Sequence, residues 1–282
     1  MKSIYIERDN YLEITDLNEF NIKHILECGQ IFRYKQAENG YKIYCKDMLI
    51  EVCCQKDGVK IFGKNLDFVK KYFDLQNNYA NIKSDLLKSN LMKKAIDYGY
   101  GIRILNQDPF ETLISFIISA NNNIPRIKKI IEGICVRFGE NKGDYYAFPT
   151  LDSLAHASVQ DFMDLGCGYR SEYLVHTIST LLSGFDLDGL FSMDTLEARN
   201  KLMKLKGVGR KVADCVLLFA YHKTDVFPTD TWIVQLYKDL TSEDKPALFI
   251  SNYFSKIFNV NSGYAQQYLF YEKMNNRGEK NG

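Results

Sequence analysis

No stretch of this sequence is long and apolar enough to cross a membrane as a helix, and the start, Met1-Lys2-Ser3-Ile4-Tyr5-Ile6-Glu7-Arg8-Asp9, is too charged for an export signal. A dominant charge is missing too: Lys and Arg number 36 and Asp and Glu 35, for a net charge of +1. This excludes a whole-protein field that gathers nucleic acid, so any such surface has to be a local patch. The four histidines stand at no metal-ligand spacing from the seven cysteines, which argues against a zinc site. No cysteine follows Cys215, which excludes a C-terminal iron–sulfur cluster on cysteine ligands. The cysteines are odd in number and scattered, the pattern of reduced thiols in a cytoplasmic protein. The expectation is a protein with no metal, no cofactor and no membrane contact.

What is present is an ordinary globular composition, 46% hydrophobic and 25% charged over 282 residues, enough for one large or two modest domains. The first third reads as antiparallel sheet. Asn39-Gly40 separates Ile31–Tyr34 from Tyr41–Cys45, and Asp57-Gly58 separates Leu49–Cys54 from Val59–Phe62, both dipeptides suited to tight hairpins. From about residue 66 the period becomes helical, with Leu66, Val69, Tyr72 and Phe73 on one face and Leu87, Leu91 and Ala95 on another. Asp108-Pro109-Phe110-Glu111 starts a helix with an N-cap acid, proline at N1 and glutamate at N3, and Thr112–Ala120 is apolar almost all round. Further helices are expected over Ile124–Phe138, Leu151–Ala157, Gln160–Leu165, Glu172–Leu182 and Thr195–Leu205, before a polar tail after Lys273 that frays. The fold class is α+β: an N-terminal antiparallel β-sheet domain with flanking helices over 1–105, then a mainly helical domain over 106–282.

The most informative segment runs from Leu205 to Ile233. One helix ends at Leu205, a second begins near Arg210, and Lys206-Gly207-Val208-Gly209 joins them. Two glycines let the chain reverse tightly and bring backbone N–H groups to a new helix N-terminus, an anion seat that suits one phosphate. Arg199, Lys201, Lys204, Lys206 and Arg210 crowd its approach. An ordinary helical hairpin with a solvated charged face would look similar. Lys211 falls in the first turn of the second helix, where the dipole disfavours an ammonium and, with partial burial, favours a nucleophilic amine. Asp230 follows Phe227-Pro228-Thr229 as a helix N-cap, and capping alone would account for it.

Gly207-Val208-Gly209, Lys211, Pro228 and Asp230 together resemble the helix–hairpin–helix–GPD superfamily of DNA glycosylases, and the wording GVGRKVADC is similar to the 8-oxoguanine DNA glycosylase/AP-lyase branch. Further blocks follow that branch in order: Cys28-Gly29-Gln30-Ile31-Phe32-Arg33-Tyr34, Asp108-Pro109 through Asn121-Asn122-Asn123-Ile124, Leu165-Gly166-Cys167-Gly168-Tyr169-Arg170, and Gly263-Tyr264-Ala265-Gln266-Gln267-Tyr268-Leu269-Phe270.

The resemblance implies catalysis by Lys211 and Asp230, the amine attacking C1′ to form a Schiff base and the carboxylate steadying positive charge on the sugar. It implies a pocket in which Cys215 and Phe270 sandwich the flipped base, Gln266 meets its Watson–Crick edge, and the Gly29 carbonyl meets the N7 hydrogen that distinguishes 8-oxoguanine from guanine. Tyr169 is implied as the wedge in the vacated stack, Asn121, Arg126 and Arg170 as contacts to the opposite base with a preference for cytosine, and Lys206, Gly207 and Gly209 as the phosphate seat. The partner is double-stranded DNA containing 8-oxoguanine, bound by a monomer in the cytoplasm, or at the nucleoid if the cell is prokaryotic. One departure stands out: Trp232 occupies a position where the family often has a phosphate-contacting histidine. Two other readings compete. A monofunctional alkylbase glycosylase has no need of Lys211, and a non-catalytic DNA-structure-binding hairpin has no reason to keep Lys211, Cys215, Asp230 and Phe270 together.

Overall fold

The computed structural model describes residues 3–56 and 58–276. Asp57 of the second expected hairpin dipeptide lies outside the described residues, as do Met1, Lys2 and the last part of the expected fraying tail. Six strands form one antiparallel sheet: β1 (Tyr5–Glu7), β2 (Tyr11–Ile14), β3 (Tyr34–Ala37), β4 (Gly40–Cys45), β5 (Met48–Gln55) and β6 (Gly58–Gly63), in the order β1-β2-β6-β5-β4-β3. Period-two burial fixes the register. In β5, Ile50 and Val52 turn inward while Glu51 between them faces solvent. Helices α1 (Ile22–Glu27) and α2 (Leu66–Tyr72) contribute Ile25, Leu26, Val69 and Tyr72 to the core beneath the sheet.

The remaining helices are α3 (Tyr79–Leu86), α4 (Met92–Tyr98), α5 (Pro109–Ser119), α6 (Ile124–Phe138), α7 (Val159–Asp164), α8 (Arg170–Leu182), α9 (Thr195–Leu202), α10 (Arg210–Tyr221), α11 (Thr231–Thr241), α12 (Ala247–Phe258) and α13 (Ser262–Asn275). They share a second, larger core, which takes in Ile82, Leu86, Met92 and Ala95 of α3 and α4. At its centre α5 is buried from Glu111 through Ile118 and packs on α6, α8 and α10. Its start is as the sequence indicates, with the Asp108 carboxylate accepting from the Glu111 N–H at 2.9 Å. No described helix is long and apolar enough to cross a membrane.

Four expectations are corrected. The Leu87–Leu91 stretch is not helical: Leu87 caps α3 and is exposed, and α4 starts afresh at Met92. Leu151–Ala157 shortens to a 3-10 turn over Asp152–Leu154. Asn39-Gly40 sits one residue late, since Glu38 and Asn39 span the loop and Gly40 already pairs with Ala37. Ile31–Arg33 leaves the ladder before β3 because Arg33 turns inward, where its guanidinium donates to the Tyr146 carbonyl at 2.5 Å and pairs with buried Glu111 at 3.4 Å.

Candidate active site

Five parts of the chain converge on one small pocket lined by Cys28, Gly29, Phe116, Lys211, Cys215, Phe219, Pro228, Asp230, Gln266, Gln267 and Phe270. On α10 the spacing of Lys211, Cys215 and Phe219 places all three on one helical face. The Lys211 Nζ lies 5.2 Å from the centre of the Phe116 ring on α5, so the amine has an aromatic wall. Asp230 is the N-cap of α11, as its position after Pro228 indicates. Its Oδ1 accepts from both the Trp232 and the Ile233 N–H at 3.0 Å, while Oδ2 takes neither. Burial raises the Asp230 pKa; the Ile233 N–H and then Lys211 pull it back. The Cys215 thiol is pushed up to about 11 by burial, against the field of Lys211.

The loop that presents Gly29 is held by Gln30. Its amide donates to the Ile25 and Arg103 carbonyls at 2.9 and 2.8 Å, and its Oε1 accepts from the Leu105 N–H at 2.8 Å. Gly29 itself has φ +79°, and a Cβ there would fall 2.9 Å from the Phe270 ring. Both facts require glycine, and the second means that a larger residue there would crowd the Phe270 ring. Gln266 is buried, and its Oε1 already accepts from Gln267. The pocket has about 50 Å³ of space, room for a water or two at about 30 Å³ each.

The hairpin before Lys211 divides its work between its glycines. Gly207 carries the reversal, with φ +84° and the Tyr173 ring 2.3 Å from where a Cβ would stand. Gly209 has an ordinary φ of −82° as N-cap of α10, and a Cβ there would meet nothing within 4 Å. Its bareness matters to the approach from outside. The basic cluster is smaller than expected. Arg199 is buried and donates to Asp214 at 2.5 Å, and Arg210 pairs with the same carboxylate at 3.6 Å. Lys206 is exposed beside Glu172 at 3.2 Å. Asp214 is buried on α10; its pairing with Arg210 is local, four residues back, but nothing in the local pattern says that Arg199, fifteen residues away, ends on it too.

The second expected group also assembles, on the surface where the loop after α5 meets the turn before α8. Asn121 is exposed with φ +49°, and Arg126 is exposed and donates to the Gly166 carbonyl at 3.0 Å. Tyr169 is 53% exposed and stands edge-on to Tyr173. Arg170 departs from expectation. It is buried, and its guanidinium donates to the Ala120, Asn121 and Cys167 carbonyls, with Nε–Ala120 at 2.7 Å. As it stands, it splints the loop rather than facing outward.

A larger cavity of about 910 Å³ lies elsewhere, between the β4–β5 turn, the start of α5 and the residues after α8. Its lining carries Asp47, Asp108, Glu140, Asp186 and Asp188 against Lys46, whose ammonium is paired with Asp108 at 3.1 Å, so it repels phosphates.

Residues 14–113 match the family model of the 8-oxoguanine DNA glycosylase N-terminal domain, and residues 114–248 match that of the HhH-GPD superfamily base excision DNA repair protein. The 8-oxoguanine glycosylase/lyase of Clostridium acetobutylicum, solved with double-stranded DNA containing cytosine opposite 8-oxoG, superposes with a TM-score of 0.89. It is 40% identical over 95% of this chain and 96% of its own. The N-glycosylase/DNA lyase of Saccharomyces cerevisiae is 37% identical over 155 residues, 49% of this chain and 41% of that protein. The probable N-glycosylase/DNA lyase of Methanothermobacter thermautotrophicus is 35% identical over 189 residues, 58% of this chain and 60% of that one. The chain thus spans about half the length of these curated relatives. With both family models matched in order and the whole fold shared at this identity, the chain belongs to the 8-oxoguanine DNA glycosylase branch of the helix–hairpin–helix–GPD superfamily.

Proposed function

We propose that this chain is a DNA N-glycosylase with abasic-site lyase activity that removes 8-oxoguanine from double-stranded DNA, preferentially opposite cytosine, and works as a monomer. The observation that carries the reading is one pocket in which the Lys211 amine and the Asp230 carboxylate share space with a sulfur and an aromatic ring suited to a flat base. The Lys211 nitrogen attacks C1′, the C1′–N9 bond breaks, and the base leaves with the bonding electrons and takes a proton. The adduct opens to an imine between C1′ and Lys211, with O4′ protonated. Loss of a C2′ proton then expels the 3′ phosphate and cuts the strand. Asp230, pinned through Oδ1, keeps Oδ2 for the cationic sugar. Phe270, on the same lining as Cys215, is partly exposed, so the pocket has a wall that reaches the surface. Among the described residues nothing donates to the Gly29 carbonyl, which leaves it for an N7 hydrogen.

Borohydride trapping on 8-oxoguanine duplex tests the reading. The wild-type chain should form a covalent adduct, and Lys211→Gln should lose both adduct and base release while still binding an abasic-analogue duplex. An adduct that persists in Lys211→Gln moves the nucleophile elsewhere. A wild type that releases alkylated bases without an adduct, or that only binds, supports one of the competing readings.

A further inference from the structure

Gln266 and Gln267 are neighbours on α13, about 100° apart around the helix, yet both line the pocket. Both are nearly inaccessible, 4% and 2% exposed. The Gln267 Nε2 donates to the Gln266 Oε1 at 2.8 Å, which turns the Gln266 carbonyl toward its neighbour and leaves its amide NH₂ as the free end. The Gln267 Oε1 is buried and accepts from nothing. A buried amide oxygen without a donor is unfavourable, and one on a residue that lines a ligand pocket has a physical reason to persist if the ligand brings the donor.

We propose that Gln267 is a second base-reading residue: it locks the Gln266 amide in one orientation, and its own Oε1 accepts a hydrogen from the exocyclic 2-amino group of the flipped purine. This rests on the 8-oxoguanine reading above and deepens it. With the Gln266 carbonyl engaged, its NH₂ is left to donate and the Gln267 Oε1 to accept, so the two glutamines present one donor and one acceptor to the purine edge. A purine that lacks this group leaves Gln267 as unpaired as it is in the free protein. The site therefore selects guanine-type lesions over hypoxanthine- or adenine-type ones through an acceptor that the protein leaves without a partner.

The test compares single-turnover excision of 8-oxoguanine and of 8-oxohypoxanthine, which lacks only the 2-amino group, by the wild type, Gln267→Met and Gln267→Glu. Borohydride trapping on a preformed abasic site, where no base is read, serves as the control. Gln267→Met, similar in shape but without hydrogen bonds, should slow 8-oxoguanine excision roughly tenfold to hundredfold and slow 8-oxohypoxanthine clearly less, with abasic-site trapping unchanged. Gln267→Glu keeps the acceptor and should retain most of the preference between the two lesions. Equal slowing of both lesions by Gln267→Met, or no slowing of 8-oxoguanine, overturns the inference, since a merely structural role gives the first and no role the second. Failure of the underlying reading looks different: the wild type itself then traps on the abasic site but leaves 8-oxoguanine in place.

Discussion

The Lys211 pocket and the Tyr169 surface are joined by α5. Phe116 lines the pocket, and Ala120, about 6 Å further along the helix axis, begins the surface loop. They treat polar atoms in opposite ways. In the pocket, the protein holds Asp230 and Gln267 by one atom each and leaves Asp230 Oδ2 and Gln267 Oε1 open. At the surface it does the reverse, closing Arg170 onto three of its own carbonyls and exposing an aromatic ring and the less constrained Arg126. The comparison separates two kinds of preorganisation. One leaves hydrogen-bonding capacity for the reacting molecule, and the other uses it up to shape a loop.

The sharpest way to break that comparison is Asp230→Asn. Asparagine keeps the N-cap and removes the charge, so single-turnover excision should fall by about a hundredfold or more, with abasic-site binding little changed. The sign for stability runs the other way. Burial raises the folded-state pKa of this carboxyl, so its contribution is present below the unfolded pKa and lost as pH rises through the folded value. At neutral pH the variant should therefore melt no lower than the wild type, and the two should converge in acid. A variant that unfolds at neutral pH would make Asp230 chiefly a structural cap. Wild-type excision should also decline with acidification at a higher pH than an ordinary aspartate would give.

Next in size is Arg170→Ala, expected to lower stability by about 3 kcal/mol in urea unfolding because the Ala120, Asn121 and Cys167 carbonyls lose their donors together. If the unfolding midpoint stays put while the proposed preference for cytosine disappears, Arg170 reads the base rather than shaping the loop. Arg126→Ala is its counterpart. It should leave the midpoint unchanged and flatten the ratio of excision opposite cytosine to excision opposite the other bases by roughly tenfold. Smallest is Gly209→Ala, which meets nothing in the free protein and should not alter stability. Its affinity for duplex DNA should drop a few-fold regardless of sequence. Unchanged affinity there would remove the hairpin as a phosphate seat.

What could be read from the sequence follows the range of the forces involved. The start of α5, the cap at Asp230 and the shared face of Lys211 and Cys215 are set by residues three or four apart, so local pattern is enough. The break between α3 and α4 was missed because Leu87 and Leu91 continue an apolar period that the chain does not use. Arg33, Arg170 and Arg199 were misplaced outward or left in a strand for one reason: each ends on an acid or a carbonyl distant in sequence. The resemblance implies a shared pocket for Gly29, Cys215, Gln266 and Phe270, but it gives no role to Gln267, whose partner is its own neighbour.

The sulfur in the pocket has a chemical consequence of its own. Thiols react with peroxides as thiolates, and burial holds Cys215 at about 11 and Cys28, beside it in the same lining, at about 12. Near neutral pH both therefore stay protonated and slow to oxidise. If the proposed function holds, the substrate arises where oxidants have reached DNA, and the protein meets those same oxidants. The pocket sulfur of Cys215 then stays soft and polarizable without passing to a sulfenic acid that would fill the slot with a polar oxygen.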